Sequence, residues 1–221
     1  MGTSITKVAI RKIYQKLFSI FGPQKWWPAK TRLEVIIGAI LVQNTNWSNA
    51  EKAIDNLRKR QLLSVEKLKS ISVQKLALVI KPAGYFRVKA KRLKNFIYFL
   101  FKEFDGSLNK MAKEKSQLLR QRLLSVNGIG PETADSIILY AFNKPVFVVD
   151  AYTKRIFSRH QFVKSTVDYQ TLQNLFLESL AVNTTMFNEY HALIVYLGKT
   201  FCKPKKPLCS LCPLRDFLHV V

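Results

Sequence analysis

The stretch Val126-Asn127-Gly128-Ile129-Gly130-Pro131-Glu132-Thr133-Ala134 is the part of the sequence that decides how the chain is expected to fold. Leucines recur at helical spacing in residues 116–125 before it, and a second helical pattern follows it. Gly128 and Gly130 let the backbone turn tightly and approach another molecule closely. The N–H groups that open the second helix have no partner within that helix, so they form a docking point for a phosphate. The stretch predicts a helix-hairpin-helix over about residues 116–142, although a Gly-x-Gly alone also occurs in ordinary helix connections.

The composition indicates a folded protein with a polyanionic partner. Lys and Arg total 36 against 14 Asp and Glu in 221 residues, which gives a formal net charge of +22. Nucleic acid is the natural partner for such a charge, and an RNA-associated surface or a generally basic proteome is the alternative. Apolar residues make up 48% of the chain and include 15 Phe, which excludes a disordered basic tail.

The sequence contains no stretch suited to a membrane span. Residues 33–42 are nearly all apolar but include Glu34 and reach only half the required length, so they predict a buried helix. The N-terminus lacks the layout of a signal peptide, and Met1-Gly2 with Thr6 matches only a loose myristoylation pattern. We expect a cytoplasmic, nucleoid-associated monomer with no membrane partner.

The rest of the chain also reads as helical. Ser48 and Glu51 form a capping-box pattern at the start of one helix, and no alternating strand pattern is longer than Val146–Val149. Further helices are predicted near 31–42, 64–69, 72–80, 88–104, 152–159, 169–180 and 186–199. We therefore predict an all-α fold with two helical lobes and a groove between them. Residues 31–142 would form one lobe, and residues 1–30 with 143–221 the other.

Several motifs together resemble the endonuclease III, or HhH-GPD, superfamily of DNA glycosylases. They are Gln43 in Leu-Val-Gln-Asn-Thr, Gly84-Tyr85-Phe86 with Lys89-Ala90, the hairpin 126–134, Val148-Val149-Asp150 and the last cysteines. The resemblance implies two α-helical domains with double-stranded DNA in the cleft between them and a damaged base flipped out of the stack.

The resemblance also implies roles for particular residues. Asp150 would be the catalytic carboxylate, and Gly128, Ile129 and Gly130 would hold the DNA backbone, often with a monovalent cation. Gln43, Tyr85 and Lys89 would contact DNA, and Tyr85 or Gln43 would fill the gap left by the flipped base. Asp150 also precedes a predicted helix, where Asp is a favoured N-cap, and capping is compatible with catalysis.

Glu132 marks a departure from part of this superfamily. Members with lyase activity have a nucleophilic lysine directly after the hairpin, where this chain has Glu132. A carboxylate cannot form a Schiff base with the opened sugar. The sequence therefore predicts hydrolysis of the N-glycosidic bond without strand cleavage.

Tryptophans suggest which base is removed. Trp26-Trp27-Pro28 and Trp47 are similar to the aromatic pocket of the 3-methyladenine DNA glycosylase III type, so Trp27, Pro28 and Trp47 would line the pocket. An alkylated purine is cationic, and indole faces favour it over the neutral base. The alternative is that these tryptophans pack in the hydrophobic core and do not contact a substrate. His191, within an apolar helix, is expected to be a packed histidine.

Two other functions stay open at the sequence level. One is a glycosylase for oxidised pyrimidines or mismatched bases. The other is a DNA-binding protein without catalysis that uses the same hairpin.

The three cysteines, Cys202, Cys209 and Cys212, have the spacing C-x6-C-x2-C, which in a reducing compartment indicates a metal site. Many endonuclease III relatives add a fourth cysteine and hold a 4Fe–4S cluster, but Leu218 stands in the fourth place here. The resemblance therefore implies a 4Fe–4S site with an incomplete ligand set, and His219 and Asp216 are near enough in sequence to be substitute ligands. A Cys3His zinc site, or no metal, are the alternatives.

Overall fold

All regular secondary structure in the described residues is helical. The computed structural model describes residues 3–24 and 30–217, with side chains from residue 7 onward. The α-helices are α1 (Thr3–Phe21), α2 (Arg32–Leu41), α3 (Trp47–Lys59), α4 (Val65–Ser70), α5 (Val73–Val79), α6 (Phe86–Phe104), α7 (Leu108–Lys113), α8 (Ser116–Leu124), α9 (Pro131–Ser136), α10 (Ala151–Arg159), α11 (Tyr169–Ser179) and α12 (Thr184–Thr200). Short 3-10 helices lie at Lys81–Ala83 and Cys209–Leu211, and a π-helix at Ile137–Ala141 continues α9. The predicted all-α fold is confirmed.

The chain forms two compact units. One comprises residues 27–144, and the other comprises residues 1–26 with residues 145–221. None of the helices within the described ranges combines the length and apolar character that crossing a bilayer requires.

The unit formed by residues 27–144 is built around α2. Every residue from Leu33 to Leu41 is buried, which confirms the buried helix that the sequence predicts. The helix packs against α3, α6 and the π-helix. Glu34 is tolerated in this core because Arg58 bonds one carboxylate oxygen at 2.9 Å and the N–H of Lys30 bonds the other at 2.7 Å.

The start of α3 differs from the prediction. The helix begins at Trp47, and the side chain of Asn46 caps it by accepting from the N–H of Asn49 at 3.0 Å. The predicted capping box of Ser48 and Glu51 is therefore wrong. Asn is at least as good an N-cap as Ser, and it comes two residues earlier in the chain.

The other unit is organised around an aromatic core. Phe147 stacks on Phe176 with ring centroids 4.0 Å apart, and Phe187 and Tyr190 pack edge-on against Phe147. The segment Val146–Val149 carries Phe147 into this core and is buried without being a strand. It leads directly into Asp150 and α10, so the core fixes where α10 begins.

Candidate active site and hairpin

The predicted helix-hairpin-helix is present as α8, a hairpin and α9. Gly128 has φ of +94°, and a Cβ at this position would lie 2.2 Å from Cγ of Arg92. Only glycine satisfies both conditions without strain. Ile129 is buried and its N–H donates to the carbonyl of Val126 at 3.0 Å, so the hairpin is anchored from inside. Gly130 is exposed at the start of α9.

Gln43, in the turn between α2 and α3, and Arg92, on α6, support the hairpin from within the same unit. The amide nitrogen of Gln43 donates to the carbonyl of Gly128 at 3.1 Å and to Oγ1 of Thr133 at 2.8 Å. The guanidinium of Arg92 in turn donates to the amide oxygen of Gln43. Both ends of the Gln43 amide are thus bonded to protein groups, while its predicted contact with DNA stays a prediction.

Lys89 is buried, whereas a contact with DNA requires an exposed side chain. Its side chain is 1% exposed, and its ammonium donates to the carbonyls of Leu41 at 2.9 Å and Ala83 at 2.7 Å. These carbonyls end α2 and the 3-10 helix before Gly84, where a cation is favourable. The prediction that Lys89 contacts DNA is wrong, because its charge is used to cap two helix ends. Burial lowers its pKa from 10.5 to about 8.

The other cations of α6 separate into two groups. Arg92 is bonded to Gln43, and the ammonium of Lys94 is bonded to the carbonyls of Leu68, Lys69 and Ile71. Arg87 and Lys91 are exposed, and because they are four residues apart they share one face of α6. Lys102, in the last turn of α6, is exposed as well.

Tyr85 directly precedes α6 in an unusual conformation. It is 73% exposed and has φ of +45°, after Gly84 with φ of +65°. A left-handed aromatic residue that stays exposed carries backbone strain, and such strain concentrates at functional sites. Its position agrees with the predicted role in filling a gap in the base stack, which stays a prediction.

The remaining residues predicted for the substrate lie in different places. Glu132 is exposed in the first turn of α9, and Trp47 is half-buried as the first residue of α3. Trp27 and Pro28 lie outside the described residues. The structure therefore places one of the three predicted pocket residues.

Asp150 is the N-cap of α10. Its Oδ1 accepts from the N–H of Thr153 at 2.7 Å and from Oγ1 of Thr153 at 2.8 Å. Its Oδ2 lies 3.6 Å from Nε2 of His191 on α12. Burial alone raises the pKa of Asp150, but His191 and the hydrogen bonds from Thr153 outweigh it and hold the pKa below its ordinary value. The carboxylate is therefore held in its ionised form, with 11% of the side chain exposed.

Close packing of α10 on α12 brings these groups together. A Cβ on Gly198 would lie 2.4 Å from the ring of Tyr152, so a glycine is needed where the two helices touch. Arg155 reinforces the contact by donating to the carbonyl of Gly198 at 3.0 Å. Sequence reasoning did not place His191 beside Asp150, because 41 positions separate them and no local pattern links them.

Arginines of α10 hold the cysteine loop. Arg155 donates to the carbonyl of Cys202 at 2.8 Å, and Arg159 donates to Sγ of Cys202 at 3.3 Å and to the carbonyls of Lys203 and Pro204. Burial raises the pKa of Cys212, and the neighbouring thiols of Cys202 and Cys209 add to the effect.

The loop offers an incomplete ligand set for an iron–sulfur cluster. Among the described residues no three His, Cys, Asp or Glu side chains are arranged to hold a metal ion. Asp216, one of the substitute ligands that the sequence suggests, bonds Lys16 at 2.9 Å instead. Leu218 and His219 lie outside the described residues. The three thiols alone do not complete a four-thiolate site.

Comparison with known proteins agrees with this architecture. Residues 37–181 match the HhH-GPD superfamily of base excision DNA repair proteins, and residues 202–217 match the iron–sulfur binding domain of endonuclease III. MJ1434 of Methanocaldococcus jannaschii, whose name assigns it provisionally to the DNA repair glycosylases, is 47% identical over 94% of both chains. Endonuclease III of Sulfolobus acidocaldarius is 29% identical over 85% of this chain and 82% of its own.

Solved structures share the fold. The H. pylori 3-methyladenine DNA glycosylase MagIII, bound to 1,N6-ethenoadenine, is similar with a TM-score of 0.74 and 27% identity, over 90% of this chain and 98% of that one. An endonuclease III trapped as a covalent intermediate with DNA superposes with a TM-score of 0.83 at 19% identity, over 96% of this chain and 94% of that one. The family match, the hairpin and the capping aspartate together show that this chain belongs to the HhH-GPD superfamily and is a DNA glycosylase of base excision repair related to endonuclease III.

Proposed function

We propose that the chain is a monofunctional DNA glycosylase that removes alkylated purines, such as 3-methyladenine, through the carboxylate of Asp150. The observation that carries the proposal is the geometry of Asp150 at the start of α10, where one carboxylate oxygen is fixed by Thr153 and the side chain is 11% exposed. Such a carboxylate stabilises the positive charge that develops on the sugar as the N-glycosidic bond breaks, and it activates a water molecule.

The choice of an alkylated purine rests on the chemistry of the leaving group. A cationic purine departs without much help from an acid, so one carboxylate suffices for the chemistry. It is also favoured between aromatic faces, and Trp47 is the described member of the predicted aromatic set, with Trp27 and Pro28 as the others. The similar H. pylori enzyme is named for 3-methyladenine and was solved with 1,N6-ethenoadenine, which is also a modified purine.

The absence of lyase activity rests on which amines could act as a nucleophile. Glu132 stands directly after the hairpin and supplies no amine. Lys89 has a lowered pKa but is buried against backbone carbonyls. Lys199 is the amine to test, because its charge interacts with that of Asp150. Desolvation lowers the pKa of Lys199, and the interaction with Asp150 partly opposes that shift.

The direct test is base release from a panel of duplexes. The panel contains 3-methyladenine, 7-methylguanine, 1,N6-ethenoadenine, thymine glycol and G·T and G·U mismatches. Release of methylated purines with intact strands supports the proposal. Release of thymine glycol or of a mismatched base alone would support the alternative, a glycosylase for oxidised pyrimidines or mismatches. No release of any base would support the other alternative, a DNA-binding protein without catalysis.

Asp150→Asn is the matched variant for the chemistry. Asn is as good an N-cap as Asp, so the start of α10 is retained while the charge is removed. We expect the single-turnover rate of release to fall about a hundredfold or more with little change in melting temperature. Full activity in Asp150→Asn would contradict the role of the carboxylate.

Borohydride trapping tests the lyase statement separately. A monofunctional enzyme forms no Schiff base, so no covalent protein–DNA adduct is expected. An adduct would overturn this part of the proposal, and its loss in Lys199→Gln would identify the amine.

A further inference from the structure

The two oxygens of Asp150 have different surroundings. Oδ1 is bonded to the backbone and hydroxyl of Thr153 and belongs to the start of α10. Oδ2 faces Nε2 of His191 at 3.6 Å. His191 is 5% exposed, so the imidazole and the carboxylate meet in an environment with little water.

The position of His191 is imposed by the packing of two helices. Gly198 lets Tyr152 of α10 touch α12, and Arg155 ties α10 to the carbonyl of Gly198. His191 lies seven positions, or about two turns, before Gly198 on the same helix. The imidazole is thus held against the first turn of α10 by rigid elements.

Other titratable groups also face Asp150. Tyr152 has its pKa raised by burial and by the charge of Asp150, and Lys199 interacts with the same charge. Tyr152 is neutral at physiological pH. Thr153 supplies hydrogen bonds without charge. His191 is the buried group that both faces Oδ2 and is able to carry a positive charge.

Burial favours the protonated, neutral form of a carboxyl group, which would be useless for stabilising a positive sugar. An imidazole facing the second oxygen opposes this effect and restricts rotation of the carboxylate. We propose that His191 is a positioning residue that keeps Asp150 ionised and holds Oδ2 in place. His191 is packed, as the sequence predicts, and this inference gives the packed imidazole a further role. The inference rests on the proposed function only for its consequence in base excision.

Titration of Asp150 tests its interaction with His191 without any substrate. Protein labelled with ¹³C at the carboxyl carbon of Asp is titrated by NMR as wild type, His191→Asn and His191→Leu, with Asp150→Asn to assign the resonance. We expect the pKa of Asp150 to rise in both His191 variants, by about one unit or more in His191→Leu and less in His191→Asn, whose amide still donates a hydrogen bond. Lys154→Met, which removes a positive charge from α10, should leave the titration nearly unchanged.

The pH dependence of base release gives the second readout. In wild type the rate should stay flat towards acid pH, since Asp150 remains ionised. In His191→Leu an acid limb should appear at higher pH, with the rate falling about tenfold for each unit below it, and the rate should approach that of wild type above the limb. A purely structural loss would lower the rate equally at all pH values.

The outcomes separate the two proposals. An unchanged titration of Asp150 in His191→Leu would overturn the pairing, whatever the activity of the variant. A raised pKa together with full activity of Asp150→Asn would leave the pairing standing and remove the proposed function. If both His191 variants are too unstable to measure, the imidazole ¹⁵N resonances of His191 are compared in wild type and Asp150→Asn, and identical spectra would contradict the pairing.

Discussion

Asp150 caps α10 and is the proposed catalytic carboxylate, and at the level of the single residue its ionisation also affects stability. Its folded pKa lies below the ordinary value, because His191 and Thr153 outweigh the effect of burial. A carboxyl with a lowered folded pKa stabilises the protein above the unfolded pKa, and this contribution is lost as the pH falls through the folded pKa. The first prediction concerns this loss.

We expect the stability advantage of wild type over Asp150→Asn to be constant near neutral pH and to shrink below the ordinary pKa of Asp. The expected size is about 1 kcal/mol for each unit of lowering. Urea unfolding of both proteins at a series of acid pH values measures it. An advantage that grows towards acid pH would mean that burial, and not His191, dominates the ionisation of Asp150.

The ionisation of Lys89 affects stability at alkaline pH, whereas that of Asp150 does so at acid pH. Its pKa falls from 10.5 unfolded to about 8 folded, so the unfolded chain binds more protons between these values. Stability should therefore rise as the pH increases through this window. The neutral amine still has two N–H groups for the carbonyls of Leu41 and Ala83, so the helix caps survive deprotonation.

We predict that wild type gains about 2 kcal/mol relative to Lys89→Met between pH 8 and pH 10. Lys89→Met should also be less stable at both pH values, by about 2–4 kcal/mol, because two buried carbonyls lose their donor. Denaturant unfolding at the two pH values gives both numbers. An equal difference at pH 8 and pH 10 would show that Lys89 keeps an ordinary pKa.

At the level of secondary structure, two glycines differ in whether the surrounding atoms leave room for a side chain. Gly198 lies at the contact of α10 and α12, where a Cβ would meet Tyr152 at 2.4 Å. Gly130 precedes α9 with φ of −91° and has no atom within 4 Å of an added Cβ. One glycine is needed for packing inside the protein, and the other leaves open the surface of the hairpin.

Gly198→Ala should therefore lose about 1–3 kcal/mol and displace α10 from His191, while Gly130→Ala should change stability by less than about 1 kcal/mol. Gly130→Ala should instead weaken DNA binding, because the methyl group would stand where we expect a phosphate to approach the hairpin. Thermal unfolding and fluorescence anisotropy with a duplex form the two assays. Equal destabilisation by the two changes would contradict the close packing at Gly198.

The cysteine loop gives a further prediction about α10. Arg159 holds the backbone at Lys203 and Pro204, whereas Arg215 makes two longer contacts, to the carbonyl of Ser210 at 3.3 Å and to Asp216 at 3.6 Å. Arg159→Ala should loosen the loop, and trypsin should then cut faster after Lys205, which is exposed. Arg215→Ala is the matched control. Mass spectrometry of the fragments over time measures the rate, and equal rates in both variants would show that the arginine contacts do not restrain the loop.

The helices and the hairpin could be predicted from local sequence patterns, but the environments of particular side chains depend on tertiary contacts. The helical periodicity, the hairpin with Gly128 and the helix start after Asp150 all depend on neighbours within a few positions, so they could be predicted. The burial of Lys89 could not, because its partners include the carbonyl of Leu41, 48 residues away. The same holds for Arg92, which reads as a solvated cation and is bonded to Gln43 across 49 positions.

For the whole molecule, the net charge of +22 implies that DNA binding depends strongly on salt. The charge does not say which cations touch phosphates, and the structure narrows the choice on α6. Lys89 and Lys94 are bonded to backbone carbonyls, and Arg92 is bonded to Gln43. Arg87 and Lys91 face solvent in the first turns of α6, after Tyr85, while the exposed Lys102 lies at the other end of the helix. We therefore expect Arg87 and Lys91 to contact the DNA backbone.

Salt titration of single charge variants tests this assignment. For contacts to about six phosphates, the slope of log K against log salt is about −5, and loss of one contact reduces its magnitude by about 1. Lys91→Gln should show that reduction on damaged and undamaged duplexes alike. Lys110→Gln is the control, because Lys110 is exposed but already pairs with Asp105 at 2.7 Å. If the two variants change the slope equally, the positive charge acts as a diffuse field, and α6 has no special place in binding.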